Sequence, residues 1–486
     1  MQVSSAIALL KIRMQAVISA DSRRRGVQVS ISSLSLLLMR WTILDFVKVS
    51  IDCGIGICHN PDRLMELNRL TPIFRVLLPA LLLVAGAQAL SEPPGPRQGP
   101  GDFREGYEHA DYETQSLSLE ARRGAETDLL AVLKSPPLGL PPVPMPADNP
   151  VTAEKVRLGR KLFFDRRLSA NNTISCAMCH VAEQGFAQNE LRNPVGIEGK
   201  SVRRNAPSIY NVAYVSLLFH DGREMSLENQ VWQPLLANNE MANLSIGLVI
   251  ERIQSLADYD TLFEAAFGRG PDVRTVGMAL ASYQRMLVSG DSRFDRWYVG
   301  RDEDALSAAA QRGFALFRGK AGCINCHTVE PDFALFTDGE FHNTGIGYYA
   351  TMRPAVAELD VLLAPGRSER VQTDLLKTTG TVQFRDLGRY EVTGRPADRW
   401  RYRTPTLRNV ELTAPYMHDG SLASLRDVLE LYNRGGVPNE VLDPLVRPLG
   451  LSDAEIDDLL AFLEALTGSN VGALVADAFA APIGGS

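Results

Sequence analysis

The chain has 486 residues, of which 45% are hydrophobic and 22% charged; this is the composition of a globular protein and excludes a disordered one. Its length corresponds to roughly two to four domains. The formal net charge is -7 and no basic stripe is visible, which argues against nucleic-acid binding but is compatible with docking a basic partner.

The first part of the chain is typical of targeting and processing segments. In residues 65–89, Arg69 and Arg75 precede an apolar run that ends in the small-x-small cleavage site 87–89. The run is too short for a convincing membrane span. We therefore predict a signal peptide at 65–89, export to the periplasm, and a mature protein without a stable membrane span.

Residues 1–64 precede this signal. Their apolar stretch is interrupted by charged side chains, which makes a poor transmembrane helix. We interpret 1–64 as an over-extended start of translation, with a genuine anchored leader as the alternative.

Residues 90–147 are rich in Pro and Gly and are interpreted as a tether or an extended wrap rather than a domain. Ordered structure is expected to begin near Thr152, a helix N-cap followed by apolar residues at helical spacing. The sequence predicts a second helix at 305–317 and a third after Ser452, whose Glu three positions later completes a capping box. Residues 471–486 are interpreted as a tail.

The six cysteines form three pairs, and two pairs have the spacing Cys-x-x-Cys-His. These motifs consist of Cys176, Cys179 and His180, and of Cys323, Cys326 and His327. The pattern is a haem attachment signal, because two thiols add to the vinyl groups and the following His reaches the iron. We predict two covalently bound haem c groups with His180 and His327 as proximal ligands. Cys53 and Cys58 have the wrong spacing for this role.

An internal repeat surrounds the two motifs. GRKLFF precedes the first and GFALFR the second, and a Pro-to-His spacing of 13 residues occurs from Pro207 to His220 and again from Pro405 to His418. Equal spacing in both halves indicates duplication of one unit.

The repeat predicts the domain organisation. We expect an all-α fold with two tandem cytochrome c-like haem domains and long loops. The N-terminal haem domain would span 148–300 and the C-terminal haem domain 301–470.

The repeat also allows the distal sides of the two haems to be compared. Tyr432 lies fourteen residues beyond His418, whereas Pro234 lies fourteen beyond His220 and has no atom that can ligate iron. A strong sixth ligand closes a haem to peroxide, while an empty position allows peroxide to bind. The second haem is therefore predicted to be closed and the first open.

Residues 205–242 and 403–436 resemble the distal segments of bacterial di-haem cytochrome c peroxidases and MauG. The resemblance covers about 148–468 and implies an enzyme that acts on peroxide. Gln230 and Glu240 match the family's distal glutamine and glutamate beside the peroxidatic haem. A carboxylate can move a proton between the peroxide oxygens and an amide can hold the peroxide. The alternative is that both are solvated helix-face residues.

Two departures from ordinary family peroxidases favour a MauG-like variant. Tyr432 matches the axial tyrosine of MauG where peroxidases carry methionine, and a phenolate favours ferric iron. A packed helix tyrosine is the alternative. In addition, no His lies between His180 and His220, where peroxidases carry a switching ligand. The first haem is therefore expected to be open in the fully oxidised protein.

Two further departures concern electron transfer. His220 stands where the family usually has a tryptophan between the haems. It either hydrogen-bonds a haem propionate or a group at the domain junction, or has a redox role. Ala321 and Gly322 stand where MauG has a tryptophan just before the second motif. The MauG electron route is therefore not reproduced.

The resemblance also implies one calcium ion between the domains. The Asn205 side chain and the main-chain carbonyls of Thr413 and Pro415 fall at the matching positions. Such oxygen ligands suit a hard cation.

Three functions are consistent with these residues. The first is reduction of hydrogen peroxide with electrons relayed through the second haem from a small cytochrome c or cupredoxin. The second is MauG-like oxidation of a partner protein. The third is a non-enzymatic electron carrier or haem sensor.

Overall fold

The computed structural model describes residues 124–352, 358–364, 367–372 and 385–480. The predicted signal peptide, residues 1–64 and Cys53 and Cys58 lie outside the described residues. Within the described ranges, no helix is long and apolar enough to cross a membrane.

The described chain is mostly helical with few strands, in agreement with the predicted helical class. The α-helices are α1 Ala131–Lys134, α2 Ala153–Phe164, α3 Leu227–Gln230, α4 Trp232–Leu236, α5 Ile246–Gln254, α6 Asp260–Phe267, α7 Val273–Arg285, α8 Arg293–Tyr298, α9 Ala308–Arg318, α10 Ile346–Met352, α11 Tyr390–Thr393, α12 Leu425–Asn433, α13 Asp453–Glu464 and α14 Val471–Ala478. Single 3-10 turns occur at Arg166–Leu168, Cys176–Met178, Ala182–Gln184, Ile197–Gly199, Val212–Tyr214, Ala257–Tyr259, Cys323–Asn325, Pro396–Asp398 and Val410–Leu412.

Strands, which the all-α prediction did not include, form two small antiparallel pairs. Strand β1 (Phe341–His342) pairs with β4 (Tyr402–Arg403), and β2 (Glu358–Ala364) forms a hairpin with β3 (Arg367–Gln372). Both pairs lie in the long connection between the second haem motif and α12.

The predicted helices begin where capping side chains place them. The Thr152 hydroxyl accepts the Lys155 N–H ahead of α2, and Ser452 and Glu455 form the predicted capping box of α13. The helix predicted at 305–317 begins later, at Ala308, because Ser307 caps it by accepting the Ala310 N–H.

The same helix crossing occurs in both halves. Helix α2 packs against α7, and α9 packs against α13. A Cβ on Gly159 would lie 2.0 Å from the Ala279 carbonyl oxygen, and one on Gly313 would lie 2.0 Å from the Asp458 carbonyl oxygen. A glycine therefore permits close backbone approach at each crossing.

Each half has its own hydrophobic cluster. The cluster around α2 and α7 includes Leu162 and Phe263, and the cluster around α9 and α13 includes Phe317 and Phe462, all fully buried. Burial of these side chains supplies the main stabilisation of each half.

Two equivalent hydrogen bonds join the halves. The Asn205 N–H donates to the His418 carbonyl at 2.8 Å, and the Arg403 N–H donates to the His220 carbonyl at 2.8 Å. In the repeat, Asn205 corresponds to Arg403 and His220 to His418. The contact therefore has an approximate two-fold relation. We call the region around these four residues the junction.

Ordered structure begins earlier than the predicted Thr152. Residues 124–150 run across both halves: Leu129 is buried in the first cluster, the Tyr214 hydroxyl donates to the Pro141 carbonyl, and the Ala334 N–H donates to the Gly139 carbonyl. A proline-rich segment has no helical or strand periodicity, so the sequence could not show that it packs. The predicted tail is also partly ordered, since α14 places Asp477 2.7 Å from Arg160.

Candidate haem sites

The first Cys-x-x-Cys-His motif forms a single turn. Cys176–Met178 is a 3-10 turn, and the His180 N–H donates to the Cys176 carbonyl at 2.9 Å. The His180 Nδ1 lies 3.1 Å from the Phe186 carbonyl oxygen, which can only accept, so Nδ1 carries the proton and Nε2 is left for iron. Desolvation lowers the pKa of His180 and favours the neutral imidazole that a metal ligand requires.

The second motif repeats this geometry. The His327 N–H donates to the Cys323 carbonyl at 2.9 Å, and His327 Nδ1 lies 2.8 Å from the Phe336 carbonyl oxygen. Desolvation lowers the pKa of His327 as well. The two predicted proximal ligands are therefore held in the same orientation by equivalent carbonyl groups.

Equivalent hydroxyl groups support both loops. The Ser208 hydroxyl donates to the Gly185 carbonyl at 2.6 Å, and the Thr406 hydroxyl donates to the Leu335 carbonyl at 2.7 Å. Ser208 and Thr406 each follow the proline of the internal repeat.

The chemistry of the cysteines fits covalent haem. All four motif thiols are free. Burial raises the pKa of Cys176, Cys179 and Cys323 to about 12, so these sulfurs are not poised as thiolates. Thioether bonds to a haem would leave them uncharged in these desolvated positions.

Arg403 supplies a second test of whether the residues present fit a haem. Its guanidinium donates to the carbonyls of Phe219 and Thr404, and desolvation lowers its pKa to about 10. Within the described part of the chain no carboxylate pairs with it. A haem propionate at the junction would supply the missing anion, so the residues present fit the group.

In the first half of the described chain, α3 and α4 are separated at Val231. Pro234 has no N–H to donate to the Gln230 carbonyl, which interrupts the helix. Gln230 is half-buried, and among the described residues its amide has no hydrogen-bond partner. The amide is therefore available to a ligand, whereas Pro234 offers none.

Glu240 follows in a loop held by the backbone. The Glu240 N–H donates to the Ala237 carbonyl, and the Ile197 N–H donates to the Glu240 carbonyl, each at 2.9 Å. Its carboxylate is close enough to Cys176 and Cys179 to raise the pKa of both thiols. Desolvation raises the pKa of Glu240 itself. The structure thus brings this carboxyl group to the first motif.

Tyr432 lies near the C-terminal end of α12, next to the second motif. Desolvation raises its pKa, and the nearby Cys326 and Cys323 thiols raise it further. The repeat-equivalent positions therefore carry a phenol beside the second motif and a proline in the first half.

His220 and His418 lie together at the junction. His220 Nε2 lies 3.0 Å from the Asn205 carbonyl oxygen, and desolvation followed by the charge of Arg204 lowers its pKa to about 3. Desolvation lowers the pKa of His418 to about 4. Both imidazoles are therefore neutral at physiological pH.

Of the predicted calcium residues, Asn205 lies at the junction. The Asn205 N–H donates to the His418 carbonyl, and the Asn205 side-chain amide donates to the Arg192 carbonyl at 3.0 Å. Thr413 and Pro415 lie in the segment that leads to His418, and the 414–415 peptide bond is cis.

The sequence did not identify three features of these sites. Arg403 and Tyr402 lie at the junction through tertiary contacts alone. His342 is held by two carboxylates, with Nε2 2.9 Å from Asp338 and Nδ1 2.7 Å from Asp443. Pairings of this kind join residues that no local motif connects.

The chain is similar to proteins of a known family. The family model described as di-haem cytochrome c peroxidase matches residues 153–303. The chain is 41% identical to cytochrome-c peroxidase IdrP1 of Denitromonas iodatirespirans, covering 69% of this chain and 87% of that protein. It is 38% identical to methylamine utilization protein MauG of Methylorubrum extorquens, covering 73% and 89% respectively.

A solved structure is also similar. The crystal structure of a MauG-like protein associated with microbial copper homeostasis matches with a TM-score of 0.56 and 32% identity, covering 69% of this chain and 95% of that one.

Proposed function

The chain belongs to the di-haem cytochrome c peroxidase family of oxidoreductases, and we propose that it reduces hydrogen peroxide in the periplasm at an open first haem. Family membership implies two haem c groups, bound here through the two Cys-x-x-Cys-His motifs. Electrons would reach the first haem through a second haem ligated by His327 and Tyr432, from a small cytochrome c or a cupredoxin.

The contrast between Pro234 and Tyr432 carries this proposal. These repeat-equivalent positions offer no ligand in one half and a desolvated phenol beside the second motif in the other. An open haem suits reaction with peroxide and a closed one suits electron transfer.

Two tandem haem domains, 148–300 and 301–470, are part of the proposal. The recurring glycine at the helix crossings, the recurring carbonyl partner of each proximal His, and the two equivalent hydrogen bonds at the junction support a duplication.

The haem supplies the iron that binds peroxide and the redox chemistry that cleaves it. The chain's own residues would position that chemistry: His180 would hold the haem through Nε2, and the Gln230 amide would hydrogen-bond the peroxide. Glu240 accepts a proton from one peroxide oxygen and returns it to the other. A carboxyl group with a raised pKa suits this exchange better than an exposed one.

Calcium at the junction is proposed with Asn205, Thr413 and Pro415 as ligands. In support, the hydrogen bond from the Asn205 N–H to the His418 carbonyl brings Asn205 to the segment that follows Thr413 and Pro415 in the chain. Such an ion would fix the two haem domains relative to each other.

Oxidation of a partner protein is the second candidate. Tyr432 in place of a methionine favours it, because an anionic oxygen ligand stabilises more oxidised iron. Steady-state turnover of peroxide with a reduced small cytochrome c or cupredoxin supports the first candidate. Absence of turnover with such donors, in a protein that still reacts with peroxide, supports the second.

Replacing the proposed proton carrier tests the mechanism. In Glu240→Gln the second-order rate constant for reaction of the oxidised holoprotein with peroxide, measured by stopped flow, should fall about 100-fold or more. Glu251→Gln, at an exposed position on α5, is the control and should react like wild type. An unchanged rate in Glu240→Gln overturns the assignment.

The same reaction should depend on pH in a defined direction. Only deprotonated Glu240 accepts a proton, so the rate should rise with pH through a pKa above the ordinary 4.5 of a glutamate. This limb of the pH profile should be absent in Glu240→Gln.

A further inference from the structure

Tyr402 lies at the junction, in strand β4. It is three residues before Pro405, whose carbonyl interacts with His327. In the first half, His220 hydrogen-bonds the Asn205 carbonyl. Asn205 is two residues before Pro207, whose carbonyl interacts with His180. The junction thus connects directly to the proximal ligands of both motifs.

The Tyr402 ring is stacked on His418. The ring centroids are 3.5 Å apart and the planes differ by 14°. Gly347 is a further neighbour, where a Cβ would lie 2.7 Å from the Tyr402 ring, and the Arg204 guanidinium lies 5.6 Å from the ring centroid. A ring held on several sides reorganises little when its charge changes, which favours rapid electron transfer.

We propose that Tyr402 is a redox-active residue that passes oxidising equivalents between the two haem sites. The inference rests on the proposed function, which supplies a peroxide-derived oxidant at the haems. The position between the haems that the family fills with tryptophan is His220 here, and a neutral imidazole is far harder to oxidise than a phenol. Tyr402 is the oxidisable ring that the described structure places beside His418.

Asp386 is the acceptor for the proton that the phenol loses when it is oxidised. The Tyr402 hydroxyl donates to the Asp386 carbonyl at 3.2 Å, and desolvation, followed by the interaction with the Asp386 carboxylate, raises the pKa of the phenol. Arg204 bonds both carboxylate oxygens and holds the pKa of Asp386 well below its usual range.

The step balances as a coupled transfer of one electron and one proton. The phenol gives one electron to the haem-derived oxidant, its O–H bond breaks, and the proton moves to the Asp386 carboxylate. An oxidised phenol is a strongly acidic cation, so even a weak carboxylate base accepts this proton. When an electron arrives from the second haem, the proton returns and the phenol is restored.

Tyr402→Phe tests the proposal because it keeps the stacked ring and removes the oxidisable hydroxyl. Fully oxidised holoprotein is mixed with one equivalent of hydrogen peroxide, and the ferric EPR signal of each haem is followed by rapid freezing. The signal of the first haem should decay at the wild-type rate, whereas that of the second should decay at least tenfold more slowly. Tyr214→Phe, which loses a hydroxyl bonded to the Pro141 carbonyl, is the matched control and should behave like wild type.

A radical signal provides an independent readout. Wild type should show a transient tyrosyl signal that narrows when the protein contains ring-deuterated tyrosine, and Tyr402→Phe should lack it. Equal decay of the second haem in wild type and Tyr402→Phe, with the same radical signal in both, would overturn the proposal. Failure of the first haem to react with peroxide in wild type would instead overturn the proposed function on which it rests.

Discussion

We propose that one side chain in each half distinguishes the two haem sites. The repeat spacing alone predicts that Pro234 and Tyr432 are equivalent, and α12 places the Tyr432 phenol beside the second motif. A phenolate ligand is anionic, so it stabilises ferric iron more than a thioether does.

Tyr432→Phe should therefore change the spin state and the reduction potential of the second haem. Loss of the oxygen ligand should change its ferric EPR signal from low spin to high spin and raise its reduction potential, while the first haem keeps its signal. EPR and a potentiometric titration of the holoprotein measure both effects. Tyr416→Phe, whose hydroxyl donates to the Val410 carbonyl, is the control. An unchanged second-haem spectrum in Tyr432→Phe would mean that Tyr432 is only a packed helix residue.

Residues in short motifs could be predicted from the sequence, and residues defined by tertiary contact could not. Cys176 and His180 are adjacent in a turn, so their spacing reports their geometry directly. Arg403 becomes recognisable only when the structure shows a desolvated guanidinium without a carboxylate among the described residues. Tyr402 becomes recognisable only through its stacking on His418.

At the scale of elements, helices with capping side chains were predictable and irregular segments were not. Thr152 and Ser452 mark the starts of α2 and α13 because their hydroxyls accept N–H groups of the first turn. Residues 124–150 pack on the core without any periodic pattern, and the short β1–β4 pair depends on residues far apart in sequence.

The helix crossings give a prediction about stability. In Gly159→Ala the new Cβ would meet the Ala279 carbonyl oxygen, so the helices must separate, and the free energy of unfolding should fall by about 3 kcal/mol. Gly313→Ala, at the equivalent crossing, should have a similar effect. Chemical denaturation of the holoprotein measures both.

The control for these variants is Gly472→Ala. A Cβ at this helical position meets no atom within 4 Å, so stability should change by less than about 1 kcal/mol. If Gly159→Ala were as stable as this control, the close α2–α7 crossing would be wrong.

The two halves of the described chain meet at a junction with approximate two-fold symmetry. Asn205 and Arg403 make equivalent hydrogen bonds to the two histidine carbonyls. Residues 124–150 cross both halves, and the Arg408 guanidinium bonds both the Gly139 carbonyl and the buried Asp295 carboxylate. The sequence predicted the repeat but not these contacts, because they join residues from distant parts of the chain.

We propose that one haem is open and the other closed in the resting, fully oxidised protein. One equivalent of hydrogen peroxide is added to this form without prior reduction, and the EPR spectrum is recorded. We expect prompt loss of the ferric signals of both haems. No reaction until one electron has been added would contradict it, because the first haem would then carry a sixth ligand that must be released by reduction.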